Sequence, residues 1–430
     1  MGAGGFFCVV PCLGQKAPFF TTGTEFSFPY VGREAHFQNS PSAQSQSFVQ
    51  ITATSNTCGT LQVPNRNFLH RFYLKKDSTL LMTLPQDTFY ADTLSDVGIL
   101  LNTAMPVQVV FATDVSNWDS SYARPGNALD SLSTEATSIA PISKNGTEYI
   151  LNITDIENNI FPLSRINEFW TYALFDGSHI STDLSNINSN LQPKDTLVSQ
   201  IFMSRDCLYS RIEGWGLFPN TLRGFSGSLF HSLNNKPFSV FAGRTDFLFG
   251  RCIDLSPFNS IGSTGEVYDQ SKPIEYGDTL YTVAQIQNHY PNIYSILALE
   301  DNTIVKLNGS VLDTIQKTYQ IDTCYDGEAV ITSNKPILVT LTRSSFASNA
   351  PTLQPNSSTI SSFSITLPGS AELLKRSVIK PFSEEYKNTY VIALFTKSVD
   401  TGNFSLDGQP LPIGSWKPFT AKPGWAWAQV

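Results

Sequence analysis

The chain has 430 residues, 41% apolar and 12% aromatic, with a formal net charge of −8. It is too long for one core and too apolar for wholesale disorder, so about three or four compact units are expected. Only 15% of residues are charged, the balance is acidic and no basic stripe exists, which argues against a nucleic-acid partner.

No run of about 18 apolar residues occurs, so no membrane insertion is expected. Residues 3–13 are apolar enough for a signal-peptide core, yet no Lys or Arg precedes them. The 1–19 segment therefore reads either as a signal-peptide remnant or as an N-terminal strand. The polar share is carried by 48 Ser, 39 Thr and 28 Asn, with 27 Gly and 25 Pro, a mixture that suits short strands joined by turns.

In chain order the sequence repeats one grammar. Residues 20–143 open with Gly23-Thr24-Glu25-Phe26, follow with apolar strands at 48–53 and 80–84, and pass through Met105-Pro106 into alternating Val107, Val109 and Phe111. Residues 144–275 open with Gly146-Thr147-Glu148-Tyr149, continue at 170–175, and reach Lys236-Pro237 before Phe238, Val240 and Ala242. Residues 276–385 open with Gly277-Asp278-Thr279-Leu280-Tyr281 and continue at 294–299. A hairpin follows around Asn308-Gly309, the strongest short hairpin signal, and Lys335-Pro336 precedes Ile337, Val339 and Leu341. Residues 386–430 start over with Asn388-Thr389-Tyr390 and place a second strand at 404–406.

The opening threonines, Thr24, Thr147, Thr279 and Thr389, lie 123, 132 and 110 residues apart. Such a period is a whole small domain. The alternation marks half-buried strands, and Pro106, Pro237 and Pro336 are expected in matching turns that define the repeat. The expected fold is all-β: tandem antiparallel β-sandwiches, three complete and a partial fourth, arranged as a rod. Short helices fit at 130–139 and 371–379, while 116–144, 183–195 and 344–362 read as loops or linkers. The incomplete fourth unit is expected to pack on the third or to accept further strands, including those of a neighbour, in self-association.

Chemistry-bearing patterns are sparse. His36, His70, His179, His231 and His289 are scattered singly, and no hydrolase elbow, phosphate loop or dinucleotide fingerprint occurs. Asp176, Asp183, Asp246, Asp254 and Glu300-Asp301 are acidic but read as turn residues rather than as a glycosidase pair. Asp114, Asn117 and Asp119 have the spacing of an oxygen-rich loop, without an EF-hand's glycine and distal glutamate. No catalytic residue, metal site or cofactor is expected. Trp118, Trp170, Trp215 and the tyrosines between 276 and 294 are the binding leads, with Trp170 placed mid-strand and in the core. Candidate N-glycosylation sequons occur at Asn145, Asn152, Asn308, Asn356 and Asn403, about as many as random order gives. The six cysteines, at 8, 12, 58, 207, 252 and 324, match no zinc template and leave both bridges and buried thiols open.

Where the units align, the wording resembles the IgGFc-binding protein N-terminal domain family. The phrases that carry it are the Gly-x-Glu-Tyr/Phe openings, Ala298-Leu299-Glu300-Asp301-Asn302-Thr303-Ile304-Val305, and the Lys236-Pro237 and Lys335-Pro336 strands. Cys252-Ile253-Asp254-Leu255 and Leu406-Asp407-Gly408 are similar to two further family phrases, with Cys207 and Cys252 as the candidate disulfide. The resemblance implies a secreted adhesion or binding module of mucus or matrix with an extracellular protein or glycoprotein partner. The rivals are a carbohydrate-active enzyme with accessory sandwiches, which needs a cleft with paired acids, and a structural subunit completed by a neighbouring strand.

Overall fold

The computed structural model describes residue 19 and residues 22–31, 46–85, 94–114, 134–153, 165–184, 197–214, 225–245, 267–284, 292–343, 363–372, 393–406 and 408–429. It is all-β, with antiparallel pairing throughout. The first eight strands are β1 (Gly23–Pro29), β2 (Gln46–Ala53), β3 (Thr57–Val63), β4 (Phe68–Leu74), β5 (Thr79–Thr83), β6 (Leu94–Asp96), β7 (Gly98–Asp114) and β8 (Thr134–Ile139). All but β6 form one sheet in the order β4-β3-β7-β2-β5, with β1 and β8 also paired to β7. The 17-residue β7 serves two layers: its first half pairs β1 and β3, and its second half pairs β2 and β8.

The next strands are β9 (Glu148–Ile150), β10 (Arg165–Ala173), β11 (Ser178–Asp183), β12 (Leu197–Phe202), β13 (Asp206–Gly214), β14 (Leu229–Ser232), β15 (Phe238–Thr245) and β16 (Val267–Gln270). Here the long strand is split into β14 and β15, so the two layers separate into sheets ordered β12-β11-β14-β9 and β16-β15-β10-β13-β6. Tyr149, Ile180 and Phe230 of one meet Phe169, Phe238 and Val240 of the other in a single core, which is a sandwich.

Then come β17 (Asp278–Val283), β18 (Asn292–Ala298), β19 (Thr303–Leu307), β20 (Ser310–Ile315), β21 (Gln320–Tyr325), β22 (Ala329–Arg343) and β23 (Phe363–Thr366). Their order, β20-β19-β22-β18-β21 with β17 and β23 on β22, reproduces the first sheet partner by partner. The chain finishes with β24 (Ala393–Lys397), β25 (Ser405–Leu406), β26 (Gln409–Pro410), β27 (Lys417–Pro418) and β28 (Trp425–Gln429). β24-β28-β27 packs on the preceding unit through Phe419 and Trp427 against Ala284 and Val330. Glu328 accepts the Thr420 N–H at 2.6 Å and the Trp427 indole N–H at 2.5 Å.

Several local expectations need correction. Residues 134–139 are a strand, because Thr134, Thr137 and Ile139 are β-branched and pair with β7. Of the other helix candidate, 371–379, Ala371 and Glu372 lie in the 3-10 turn Ser370–Glu372, and the rest lies outside the described residues. The 404–406 segment is one arm of the β25–β26 hairpin, reversed at Gly408 with φ +79°, rather than a second strand of the sandwich. Pro106 and Pro336 lie within continuous strands, and only Pro237 separates two. All three sit where the chain crosses from one layer to the other. At that crossing the register of the opening strand jumps, from Gly23↔Val107 to Glu25↔Asn102 and from Asp278↔Ile337 to Leu280↔Thr332. A bulge of this kind accommodates a residue without an N–H.

The opening tyrosine fastens that crossing. Tyr281 Oη donates to the Ile337 carbonyl at 2.6 Å and accepts the Asp278 N–H at 3.2 Å. Tyr149 does the same with Phe238 and Gly146, at 2.6 and 2.9 Å. Phe26 holds this place in the first copy and has no hydroxyl.

Successive units share cores. β10 and β18 are buried on both faces, one against their own core and the other against the preceding unit. Trp170, Tyr172, Cys207, Tyr209 and Tyr268 merge with the core of β1–β8, and Ile150 meets Leu297, Leu299 and Leu338. Three 3-10 joints, Ile142–Lys144, Ile274–Tyr276 and Ser370–Glu372, follow the last strand of each unit. They converge. Lys272 Nζ lies 2.6 Å from Glu372 Oε2, with both side chains almost wholly buried. Glu372 also accepts the Gly369 N–H and, across 353 residues, the Phe19 N–H. Asp269 of β16 accepts from Thr137 of β8 at 2.7 Å and from the Thr366 N–H of β23 at 2.6 Å.

Two outcomes follow. Tyr281→Phe strands a buried N–H and carbonyl, so the third unit should lose about 1–3 kcal/mol, read from urea unfolding and faster exchange of the Asp278 amide. Lys272→Met leaves a buried carboxylate without its cation and should cost about 3–5 kcal/mol. The Lys272→Met/Glu372→Leu double variant should recover most of that loss in the same measurement.

Candidate binding surface

Most residues that the sequence offers for chemistry serve as fasteners. Lys236 Nζ donates to the Asp176 carbonyl, and Lys335 Nζ donates to the Asp301 carbonyl at 2.6 Å. The carboxylates of those turn residues accept the Ser204 and Lys317 N–H groups. The Lys-Pro and Asp-Asn phrases are thus two halves of one clasp between the turn after the second strand and the crossing. In the first unit Met105 stands in the lysine's place, and Thr57 exchanges hydrogen bonds with its backbone instead.

The aromatic leads resolve the same way. Trp170 is buried and stacks on Tyr209, with ring centroids 5.2 Å apart, in the contact between units. Tyr281 and Tyr294 are buried. Burial pushes both phenols well above their ordinary range, so they act as hydrogen-bonding posts rather than acids. Tyr276 is pushed up to about 12 by burial and by the Glu275 and Glu372 charges. Trp118, Trp215, His36, His289, Asn117, Asp119, Asp246, Asp254, Cys252 and Asn356 lie outside the described residues.

Of the histidines, His179 Nε2 lies 2.6 Å from Ser199 Oγ on the face of β11, while His70 and His231 are exposed. Among the described residues no three His, Cys, Asp or Glu side chains gather as a metal site would need. Lys272 and Glu372 are buried at joints between units with Asp269 near them, and Glu168, also buried, accepts from Tyr209 Oη at 2.8 Å. Burial raises the Asp269 carboxyl and lowers the Lys272 ammonium, the latter against the pull of Glu372.

Among the described residues, three equivalent strands have an unpaired edge. β4, β12 and β20 each end the sheet order of one layer. Each presents apolar side chains to solvent: Leu69 and Tyr73 on β4 are 54% and 63% exposed, Ile201 on β12 is 63% exposed, and Val311 on β20 is 61% exposed. An edge strand offers unpaired N–H and C=O groups, and apolar side chains beside them make it a template for contact. Sequence reading missed this surface because exposure of alternate residues on an edge depends on which strand ends the sheet. The recurrence of Leu, Ile and Val in otherwise polar strands was the available signal.

The modification candidates separate by environment. The Asn145 amide is buried and donates to the Pro141 carbonyl, and Asn152 Nδ2 donates to the Ser295 and Leu338 carbonyls between units. A glycan at either site would displace those bonds. Asn308 Nδ2 donates to the Glu328 carbonyl behind its hairpin turn, while Asn403 is exposed. The candidate Cys207–Cys252 bridge is corrected: Cys207 is a free, buried thiol opposite Tyr172, and burial pushes it up.

Set against known proteins, residues 165–430 match the family described as IgGFc binding protein. No curated protein and no solved structure matches the chain.

Two measurements follow from this geometry. A maleimide should label exposed Cys58 in the native protein and reach Cys207 only after denaturation, as read by peptide mass. When the protein is secreted from a glycosylating host, peptide mapping should find glycan at Asn403 and none at Asn145 or Asn152.

Proposed function

The chain belongs to the IgGFc binding protein family, and on that footing we propose that it is a non-catalytic extracellular module for protein or glycoprotein contact. Its units are three copies of one sandwich, 20–143, 144–275 and 276–385, with a partial fourth at 386–430. Contact is made through the open edges β4, β12 and β20. The observation that carries this reading is the use of the shared residues. Tyr149 and Tyr281, and Lys236 and Lys335, all hold crossings and turns, whereas the exposed apolar side chains recur on equivalent edges. Mucus or matrix adhesion and secretion enter through the family alone. Antibody Fc is a partner to test, since the family's description contains it. No observation among the described residues favours the glycosidase rival, which requires two acids across a cleft.

The test uses the full chain with immobilised Fc and a mucin preparation as separate probes. Binding of either should fall at least about tenfold in the Tyr73→Lys/Ile201→Lys/Val311→Lys variant, which leaves the cores intact. Undiminished binding by that variant would remove the edges from the proposal. Turnover of a glycan or peptide library, abolished by one carboxylate substitution, would overturn the non-catalytic reading.

A further inference from the structure

Phe19 lies ahead of β1, yet it is fully buried against the far end of the third unit. Its N–H donates to Glu372 Oε1 at 2.8 Å, and its ring meets the edge of Tyr276 at a centroid distance of 5.0 Å. Glu372 and Tyr276 close the third and second joints. The first joint closes with Lys144, on which the Glu372 charge also acts. Equivalent positions of two successive joints therefore meet at Phe19, and the third lies within reach of the Glu372 charge.

The placement of Phe19 follows the repeat. It stands four residues before Gly23, as Ile142 stands four before Gly146 and Ile274 four before Asp278. It occupies, for the first unit, the place that a preceding joint occupies for the others. Each opening residue also abuts the residue just before the joint at the end of its own unit. A Cβ on Gly23 would lie 2.5 Å from Pro141, one on Gly146 2.5 Å from Pro273, and one on Gly369 2.5 Å from Asp278. The small partner is the opening residue in two units and the closing residue in the third. The start and end of every unit are thus pinned together at the hub.

We propose that Phe19 is a clasp: docked between the second and third joints, it ties the first unit to the third at the hub, and releasing it loosens the joints while the shared cores of neighbouring units stay packed. The Lys272–Glu372 pair forms the seat, and the clasp adds the bond from the first unit to the third. Displacing Phe19 would then let the joints open locally without unfolding any sandwich.

The test is made on the full chain. Phe19→Pro removes the N–H that Glu372 accepts and the ring that Tyr276 meets, while Phe19→Leu keeps the N–H and an apolar side chain. Amide exchange in residues 140–146, 271–278 and 367–372 should accelerate about tenfold or more in Phe19→Pro. Strand amides inside the sandwiches should keep their protection. Phe19→Leu should behave as the unaltered protein. Unchanged joint exchange in Phe19→Pro would overturn the proposal. Loss of protection throughout the first sandwich would overturn it too, because Phe19 would then belong to that fold rather than clasp it. Phe19→Ala, which keeps the N–H, should fall between the two and decides the matter should Phe19→Pro fail to express.

Discussion

A lysine and a glutamate held out of water, Lys272 and Glu372, set the terms for the whole arrangement. Moving an ion from water into a packed interior costs several kcal/mol, and only an opposite charge with good donors returns it. Glu372 finds its donors in three places: the Lys272 ammonium, the Gly369 N–H and the Phe19 N–H. The segments that supply them are remote in sequence, so the carboxylate is satisfied only when all have arrived. Asp269 imposes a similar condition, since its oxygens accept from both the first and the third units. Burial disfavours its charged form, and those donors oppose the effect. The hub is therefore cooperative, and its geometry has little room to drift.

Packing units in this way changes what a strand must look like. A sandwich strand normally alternates because one face meets water. In β10 and β18 that second face is taken by the preceding unit. Trp170 and Tyr172 enter the core of the first unit, with Tyr172 Oη and Ser27 Oγ sharing a hydrogen bond of 2.7 Å. Tyr268 donates to Thr113 across the same contact at 2.9 Å. The layers that hold β10 and β18 are consequently unavailable to partners. Solvent is left with the other layers, and there the edge strands β4, β12 and β20 show their apolar side chains.

How much of this was legible in the sequence depended on range. The Asn308-Gly309 hairpin declares itself locally, and its residues take φ +50° and +86° as a tight primed turn requires. The all-β class was equally plain from alternation around Val107, Val109 and Phe111. The runs at 170–175 and 294–299 did carry the signal of two-sided burial, since neither alternates. Strand length alone did not say what would cover the second face. The joints were harder to see. Ala140-Pro141-Ile142 and Lys272-Pro273-Ile274 repeat at the spacing of Thr147 and Thr279, but the third copy, Pro368-Gly369-Ser370, hides the pattern by moving its glycine. A buried Lys–Glu pair 100 residues apart leaves no local trace at all. The edge surface was illegible for the same reason, because it follows from sheet order.

The short strand β6 bears on what can count as a part of this protein. It arises from the β5–β7 connection of the first unit, yet it pairs with β13 of the second, with Leu94 opposite Leu208 and Asp96 opposite Asp206. Arg205 and Asp96 then meet across the seam at 3.0 Å. The boundary at residue 143 is thus a boundary along the chain and not in space. A second unit excised there would present β13 as a bare, nine-residue edge carrying Cys207 and Tyr209, whose cover in the first unit would be gone. A second unit copied alone would accordingly arrive without the strand that finishes its sheet.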